Sequence, residues 1–191
     1  MAKSPTSDVI ALKIVRLSFA RLFKPKAFQE GQDPRYEATF LLDPSNADHA
    51  ATISTIRAQA KKMIEDGGYD AEDFKLCFGK GDKKKYDGYK GMIYVSTNNR
   101  TRPTVVTRNR TPVQEGEPEA PYSGCYVNGS ITLWLQDNKF GKRINANLRA
   151  VQFVKDGPAF GVQPIDPEEE FEALGDSPAA ATTAAGEDWD D

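Results

Sequence analysis

The chain has 191 residues, of which 39% are hydrophobic and 28% charged, and its formal net charge is -3. This composition can bury the core of one ordinary soluble domain and excludes a disordered or fibrous protein. No segment approaches the roughly 18 apolar residues of a membrane helix, and the first eight residues lack the apolar core of a signal peptide. We therefore expect a cytoplasmic protein without membrane contacts.

The first half of the chain predicts two strands and one helix. Residues Val9 to Phe19 are β-branched and apolar, which favours a bent barrel strand. In the second strand, residues 35–42, the even positions are apolar and are predicted to point inward. Asp43 and Pro44 then match an N-cap followed by proline at the first helical position, and helical spacing of apolar residues continues for about 20 residues until Gly67 and Gly68.

The second half predicts further strands at residues 91–97, 104–107 and 126–136 and a last one that begins near Ile144. In the 126–136 strand the odd positions are apolar, so Tyr126 and Trp134 share the opposite, polar face. In the last strand Ile144, Ala146, Leu148 and Ala150 are predicted to point inward, opposite to Asn145, Asn147 and Arg149. Five main strands and one helix fit an OB-fold-like antiparallel barrel elaborated by loops, a fold whose strand face binds single-stranded nucleic acids.

Few residues suit catalysis or metal binding. Cys77 and Cys125 are too far apart in sequence for a zinc or disulfide motif and are expected to be reduced and semi-buried. The single His49 is expected on the surface near the start of the helix. Paired catalytic carboxylates, a nucleophile with a histidine, and a phosphate-binding loop are all missing from the sequence, since Gly79-Lys-Gly81 lacks the required spacing. We expect neither an enzyme nor a cofactor or metal.

Charge is distributed unevenly along the chain. Residues 164–191 contain ten acidic residues and no Lys or Arg, which leaves the remaining 163 residues with all 25 basic residues, 18 acidic ones and a charge of +7. A basic body with an acidic tail is typical of nucleic-acid-binding proteins, although acidic tails also aid solubility. We expect a flexible N-terminus over residues 1–7, a binding domain over 8–163 and a disordered tail over 164–191.

The basic residues are concentrated between positions 75 and 110, where ten cations face two acids and aromatic residues are interleaved. This combination neutralises phosphates and offers rings on which bases stack; among the rings, Phe78 is the one expected to be buried. Together with side chains of the later strands, the predicted DNA contacts are Lys75, Lys80, Lys83, Lys84, Lys85, Tyr86, Tyr89, Lys90, Tyr94, Arg100, Arg102, Arg108, Arg110, Tyr126, Trp134 and Arg149.

Four segments resemble a family of bacteriophage single-stranded DNA-binding proteins once catalogued as a domain of unknown function: 18–23 (SFARLF), 35–44 (RYEATFLLDP), 122–129 (YSGCYVNG) and 151–158 (VQFVKDGP). The match covers residues 8–163. The resemblance implies an OB-fold barrel that coats replication or recombination intermediates in the host cytoplasm. One departure concerns the helix, which here follows the second predicted strand, whereas a standard OB-fold has it between the third and fourth strands.

The resemblance also implies a role for the acidic tail. Its end, Glu187, Asp188, Trp189, Asp190 and Asp191, is similar to the partner-binding tips of such proteins, although Trp189 is not the last residue. The implied partners are replisome proteins: a polymerase, helicase or primase. A flexible polyanion near a +7 body is also expected to compete with DNA for the basic surface.

Other functions remain open from the sequence alone. Stacking and phosphate contacts do not separate DNA from RNA without a reader of the 2′-hydroxyl, so an RNA-binding or nucleic-acid chaperone module is one alternative. A phage structural or assembly protein is another, with the basic stretch as an interaction face. The oligomeric state, including a homodimer, is likewise open.

Electrostatic binding predicts a steep salt dependence. If about four to six phosphates are neutralised, the logarithm of the association constant for single-stranded DNA falls against the logarithm of salt concentration with a slope of about -3 to -4. Fluorescence anisotropy at several salt concentrations measures this slope, and a slope near zero contradicts the electrostatic basis of the prediction.

Overall fold

The computed structural model describes residues 6–27 and 29–161. The predicted disordered tail, including its partner-binding tip, lies outside the described residues, as do residues 1–5. Thr6 and Ser7, predicted to belong to a flexible N-terminus, instead pair with the second-last strand: Ser7 donates its backbone N–H to the Leu133 carbonyl over 2.8 Å and accepts the Leu133 N–H on Oγ over 2.8 Å.

The described chain contains eight strands, one α-helix and two short 3-10 helices. In chain order the elements are β1 (Ile10–Lys26), β2 (Arg35–Leu42), α1 (Ala47–Asp66), a 3-10 turn (Ala71–Asp73), β3 (Lys75–Leu76), β4 (Phe78–Lys80), a second 3-10 turn (Gly81–Lys83), β5 (Ile93–Asn99), β6 (Thr104–Val106), β7 (Tyr126–Asn138) and β8 (Gly141–Lys155). The predicted strands are all present, and the first and last are longer than expected.

Five of the strands close into a barrel with the OB-fold connectivity. β1 pairs antiparallel with β2 and β7, β2 with β5, and β7 with β8, while a parallel contact between Asn98 on β5 and Asn147 on β8 closes the ring. α1 lies between the second and third barrel strands, as the sequence pattern indicated. β6 and a long loop connect the third and fourth barrel strands, so the barrel is an elaborated version of the fold and the family expectation is confirmed.

The barrel interior is filled by the predicted alternating side chains of β2, β5, β7 and β8, including the fully buried Phe40, Ile131 and Leu148. Three predictions of burial are wrong. Cys125, expected to be semi-buried, is fully buried. Ala150 is half-buried because a bulge between β7 and β8 shifts the alternation, so that Val151 is buried instead. Phe78 is also half-buried, and Phe74, just before β3, is the buried ring of that segment.

The start of α1 differs from the prediction. The N-cap is Asn46, whose side chain accepts the N–H groups of Asp48 and His49, whereas Asp43 accepts the amide and hydroxyl of Ser45 in the turn before the helix. These two bonds hold the pKa of Asp43 below its usual value. The predicted helix end is confirmed, with Gly67 as the C-cap.

His49 is buried instead of exposed, because its ring links α1 to β1. Nδ1 accepts the Asp43 backbone N–H over 3.0 Å, so Nε2 carries the proton and donates to the Lys13 carbonyl over 3.0 Å. Lys13 lies within a bulge of β1, where the backbone cannot complete its strand pairing. The ring thereby satisfies a polar group that the bulge frees.

Two further observations concern the function classes. No helix within residues 6–27 and 29–161 is long and apolar enough to cross a membrane. The same residues contain no group of three or more His, Cys, Asp or Glu side chains that could hold a metal ion.

Replacing His49 with Ala should lower the free energy of unfolding by about 1–3 kcal/mol, because the Lys13 carbonyl and the Asp43 N–H lose their partner. Urea unfolding measures the change. Thr55→Ala serves as the control, since its exposed hydroxyl bonds only within α1 and surface substitutions usually change stability by at most about 0.5 kcal/mol. Equal stability of His49→Ala and the wild type would contradict a structural role for the ring.

Both thiols should be unreactive in the folded protein. Burial raises the pKa of Cys77 to about 12 and that of Cys125 to about 11, so both stay protonated at pH 8, and the thiolate is the reactive form. A chromogenic disulfide should label neither thiol quickly in buffer and both in denaturant. Fast labelling of the native protein would contradict the burial of the thiols. Because the pKa values of both thiols are raised in the folded protein, the free energy of unfolding should fall as the pH rises above about 9, where the thiols of the unfolded chain ionise first.

Candidate nucleic-acid interface

The outer faces of β2 and β5 form a polar surface on the barrel. Strand register places Thr39 opposite Ser96 and Glu37 opposite Asn98, and Tyr94 precedes them on the same side of β5. Tyr94, Ser96 and Asn98 thus share one face, as the sequence predicted, while Val95 points into the core. In OB-folds this strand face is the one that binds oligonucleotides.

A loop over residues 81–92 carries basic and aromatic side chains to this face. It is anchored by Gly81, whose N–H donates to the Met92 carbonyl over 2.7 Å, and by Asp82, which accepts the Gly91 N–H over 2.9 Å. A Cβ atom at Gly81 would overlap the carbonyl oxygen of Tyr89. Only glycine therefore fits at position 81, where the start of the loop packs against its own residues near Tyr89.

The loop and β1 build a cluster of aromatic rings. The centroid of Tyr86 lies 5.0 Å from that of Phe19 and 5.3 Å from that of Tyr89, and Tyr89 lies 6.3 Å from Tyr94. Phe19 and Tyr86 are 38% and 53% exposed, but Tyr89 is only 2% exposed and donates its hydroxyl to Ser18. Tyr89 packs against Phe19, Tyr86 and Tyr94 on the side of the core. Because it is buried, it does not present the stacking surface that the sequence predicted.

Phe19 is a candidate site residue that the sequence pattern missed. Alternation after the buried Val15 and Leu17 predicts that Phe19 points inward. A bulge between Ser18 and Arg21 interrupts the alternation, and Phe19 has a φ of 49°, which is rare for a bulky residue. The bulge turns the ring to the outside, where it meets Tyr86.

Cations complete this surface, which we call the binding strip and define by Phe19, Arg21, Lys84, Tyr86, Tyr94 and Ser96. The Lys84 ammonium lies 5.3 Å from the Tyr94 ring centroid, and Arg21 donates to Glu37 over 2.9 Å. These side chains line a cavity of about 240 Å³. Ser96 also lines a second, polar cavity of about 210 Å³, which extends the strip with Lys75, Asn98, Arg143 and Asn145.

Most of the other predicted cations do not line the cavities of the strip. Arg100 pairs with Asp33, and Arg102 bonds to Gln114. Arg108 binds Glu119 through both its backbone N–H and its guanidinium, which lowers the pKa of Glu119, so this arginine holds a loop in place. Exposed side chains that line neither cavity of the strip belong to Lys80, Lys83, Lys85, Lys90, Arg110 and Arg149.

Tyr126 and Trp134 lie on β7, which is not a neighbour of β2 or β5. Tyr126 contacts the Arg16 guanidinium and the Lys155 ammonium, whose distances from the ring centroid are 5.7 Å and 4.7 Å. Trp134 lies opposite Asn145, beside the polar cavity, but lines neither cavity itself. The structure therefore does not bring these two rings together with Tyr94.

Comparison with known proteins identifies relatives over most of the chain. Residues 7–182 match the family model described as the single-stranded DNA-binding protein of Enterobacter phage Enc34. A putative protein p50 of Acyrthosiphon pisum secondary endosymbiont phage 1 is 39% identical over 178 residues, covering 86% of this chain and 93% of that protein.

Solved structures agree with this assignment. The Enc34 single-stranded DNA-binding protein in complex with single-stranded DNA superposes with a TM-score of 0.72 at 31% identity, over 80% of this chain and 89% of that chain. Gp2.5, a single-stranded DNA-binding protein of bacteriophage T7, has a TM-score of 0.55 at 14% identity, over 93% of this chain and 99% of that chain. The T7 similarity supports the fold alone.

Proposed function

We propose that this chain, which belongs to the family of phage single-stranded DNA-binding proteins represented by that of phage Enc34, binds single-stranded DNA along the binding strip and coats it during phage replication and recombination. The family consists of binding proteins, and the chain is not an enzyme. Binding is tolerant of base sequence, because rings accept any base and cations accept any phosphate.

One observation carries the proposal: accessible rings and cations from β1, β5 and the 81–92 loop line one cavity at the strand face of the barrel. Tyr86 and Tyr94 supply ring faces, Lys84 supplies positive charge beside them, Arg21 is paired with Glu37, and Asn98 adds an amide group further along. Backbone phosphates can follow the cations while the bases turn toward the rings. Because α1 packs on β1, β7 and β2, it does not project from the barrel as a recognition helix that could enter a major groove.

Removing a ring should weaken DNA binding without unfolding the protein. Tyr86→Ala and Tyr94→Ala should each lose about 1–3 kcal/mol of binding free energy for single-stranded DNA, the usual cost of one lost base stack. Tyr86→Phe and Tyr94→Phe keep the ring and serve as matched controls with near wild-type affinity. Titration by fluorescence anisotropy measures the effect, and unchanged affinity of both Ala variants would place the DNA elsewhere.

Competition among single-stranded DNA, RNA and duplex DNA of equal length tests the class of ligand. The proposal expects single-stranded DNA to bind best and to be protected from nuclease digestion at saturating protein. Preference for RNA would favour an RNA-binding module, and absence of any nucleic-acid binding would favour a structural or assembly protein.

A further part of the proposal concerns the acidic tail, residues 164–191, and is supported by its ten acidic residues and the absence of basic ones. In the free protein the tail competes for the basic surface, and DNA displaces it. Once released, Trp189 and its flanking acids recruit a replisome protein. DNA binding and partner recruitment are thereby coupled.

Deleting the chain after Val162 should tighten DNA binding, most strongly at low salt, where charges are least screened. It should also abolish capture of a replisome partner. Affinities of the full-length and truncated proteins are compared by anisotropy across salt concentrations. Equal affinity at low salt would rule out competition and leave the tail as a partner tether or a solubility device.

A further inference from the structure

A third cavity, of about 240 Å³, adjoins the binding strip and shares two of its rings. Phe19 and Tyr86 form the common wall, and Phe160 contributes a third ring. The remaining lining residues are Ser18, Asp87, Ser123 and Gly161. Pockets for drug-sized ligands begin at about 300 Å³, so this cavity suits a single flat group such as one nucleobase.

Phe160 is held firmly against this cavity. Its backbone N–H donates to the Ser123 carbonyl over 3.0 Å, and the Arg16 guanidinium lies 4.4 Å from its ring centroid. Arg16 is itself fixed, because it donates to the carbonyls of Gly124 and Pro158 over 3.1 Å and 2.7 Å. The ring is therefore a built wall of the cavity, even though it lies near the end of the described chain.

The polar groups of the cavity can recognise a base edge. Ser123 Oγ accepts the Ala20 N–H over 3.0 Å and Ser18 Oγ accepts the Tyr89 hydroxyl over 3.2 Å. Both hydroxyls have an O–H left to donate. Asp87 is the one charged side chain among the lining residues, and it forms no salt bridge within the described part of the chain.

We propose that this cavity is a base-selective subsite in which the Asp87 carboxylate favours cytosine over thymine; the inference rests on the proposed function. Cytosine carries an amino group at position 4 that donates a hydrogen bond to a carboxylate. Thymine has a carbonyl oxygen at the same position, and two acceptors facing each other repel. The two bases also differ at position 3, which is an acceptor in cytosine and an N–H in thymine, but this N–H lies between two carbonyl oxygens that a carboxylate would also face; thymine carries a methyl group besides.

The sign of the charge explains why the subsite reads a base and not the backbone. A phosphate is repelled by the Asp87 carboxylate, whereas the neighbouring binding strip offers Lys84, beside an Arg21 that is paired with Glu37. A strand passing between the two cavities would therefore keep its phosphates on the strip and turn one base past Phe19 and Tyr86 into the subsite. Selectivity is limited to that one base and leaves binding tolerant of sequence elsewhere.

The test compares the affinities of oligo(dC) and oligo(dT) of one length for the full-length wild type, Asp87→Asn and Asp87→Ala. The ratio of oligo(dC) to oligo(dT) affinity should be about 5- to 10-fold higher in the wild type than in either variant, the lower part of the range for a base-edge contact. Asp87→Asn and Asp87→Ala should lower the ratio mainly by improving oligo(dT) binding. Because Asp87 is exposed, both variants should keep the wild-type unfolding midpoint.

Glu65→Gln is the matched control, since it removes one exposed carboxylate on α1, outside both cavities. It should change the two affinities by the same factor and leave their ratio intact. Dividing the oligo(dC)-to-oligo(dT) affinity ratio of the wild type by that of a variant cancels intrinsic differences in stacking and stiffness between the two oligomers. A ratio of oligo(dC) to oligo(dT) affinity that is the same in the wild type, Asp87→Asn and Asp87→Ala overturns the subsite while DNA binding stands. Failure of the wild type to bind either oligomer overturns the proposed function itself.

Discussion

The architecture depends on one constraint, which is that β1 must curve enough to pair with β2 along one edge and with β7 along the other. A strand of 17 residues cannot follow a small barrel without bulges, and β1 has one near Ile14 and one near Phe19, both with positive φ. Each bulge frees backbone groups from strand pairing, and these groups need other partners.

Side chains from distant parts of the chain satisfy these groups. At the first bulge, Asn128 accepts the Ile14 N–H and His49 binds the Lys13 carbonyl. At the second, Ser123 accepts the Ala20 N–H. The bulges therefore couple β1 to α1, to β7 and to the segment before β7. The second bulge also exposes Phe19, so the same distortion that closes the barrel provides a wall for both the binding strip and the adjoining cavity.

The aromatic and basic residues of the candidate interface have different roles, since some are buried or paired and others remain accessible. Tyr89 is buried and positions Phe19, Tyr86 and Tyr94, whose rings remain accessible. Burial raises the pKa of the Tyr89 hydroxyl, which keeps it neutral as a donor to Ser18. Several arginines of the basic stretch are engaged with acids or amides, as Arg108 is with Glu119. The net positive charge of residues 75–110 is therefore larger than the number of cations that line the strip. Lys84 is one cation that does, and it lies over the Tyr94 ring.

The sequence by itself determined the fold class and the basic, aromatic composition of the candidate interface. Strand alternation along 35–42 and 126–136, the helical spacing between them and the basic, aromatic stretch 75–110 are local patterns, and each depends on side-chain periodicity or composition. The family resemblance added the expected barrel. Tyr94, Ser96 and Asn98 were placed on one face for the same reason.

Only the tertiary structure decided which residues meet. Phe19 points outward and Ala150 leaves the core because bulges reverse the alternation, and a bulge depends on the pairing of two strands and not on one segment. His49 is buried because a carbonyl in a distant strand needs a donor, and Tyr89 is buried because Phe19 and Tyr86 cover it. Phe160 and Asp87 line one cavity although 73 positions separate them. Such contacts arise from closure of the barrel, which no local pattern encodes.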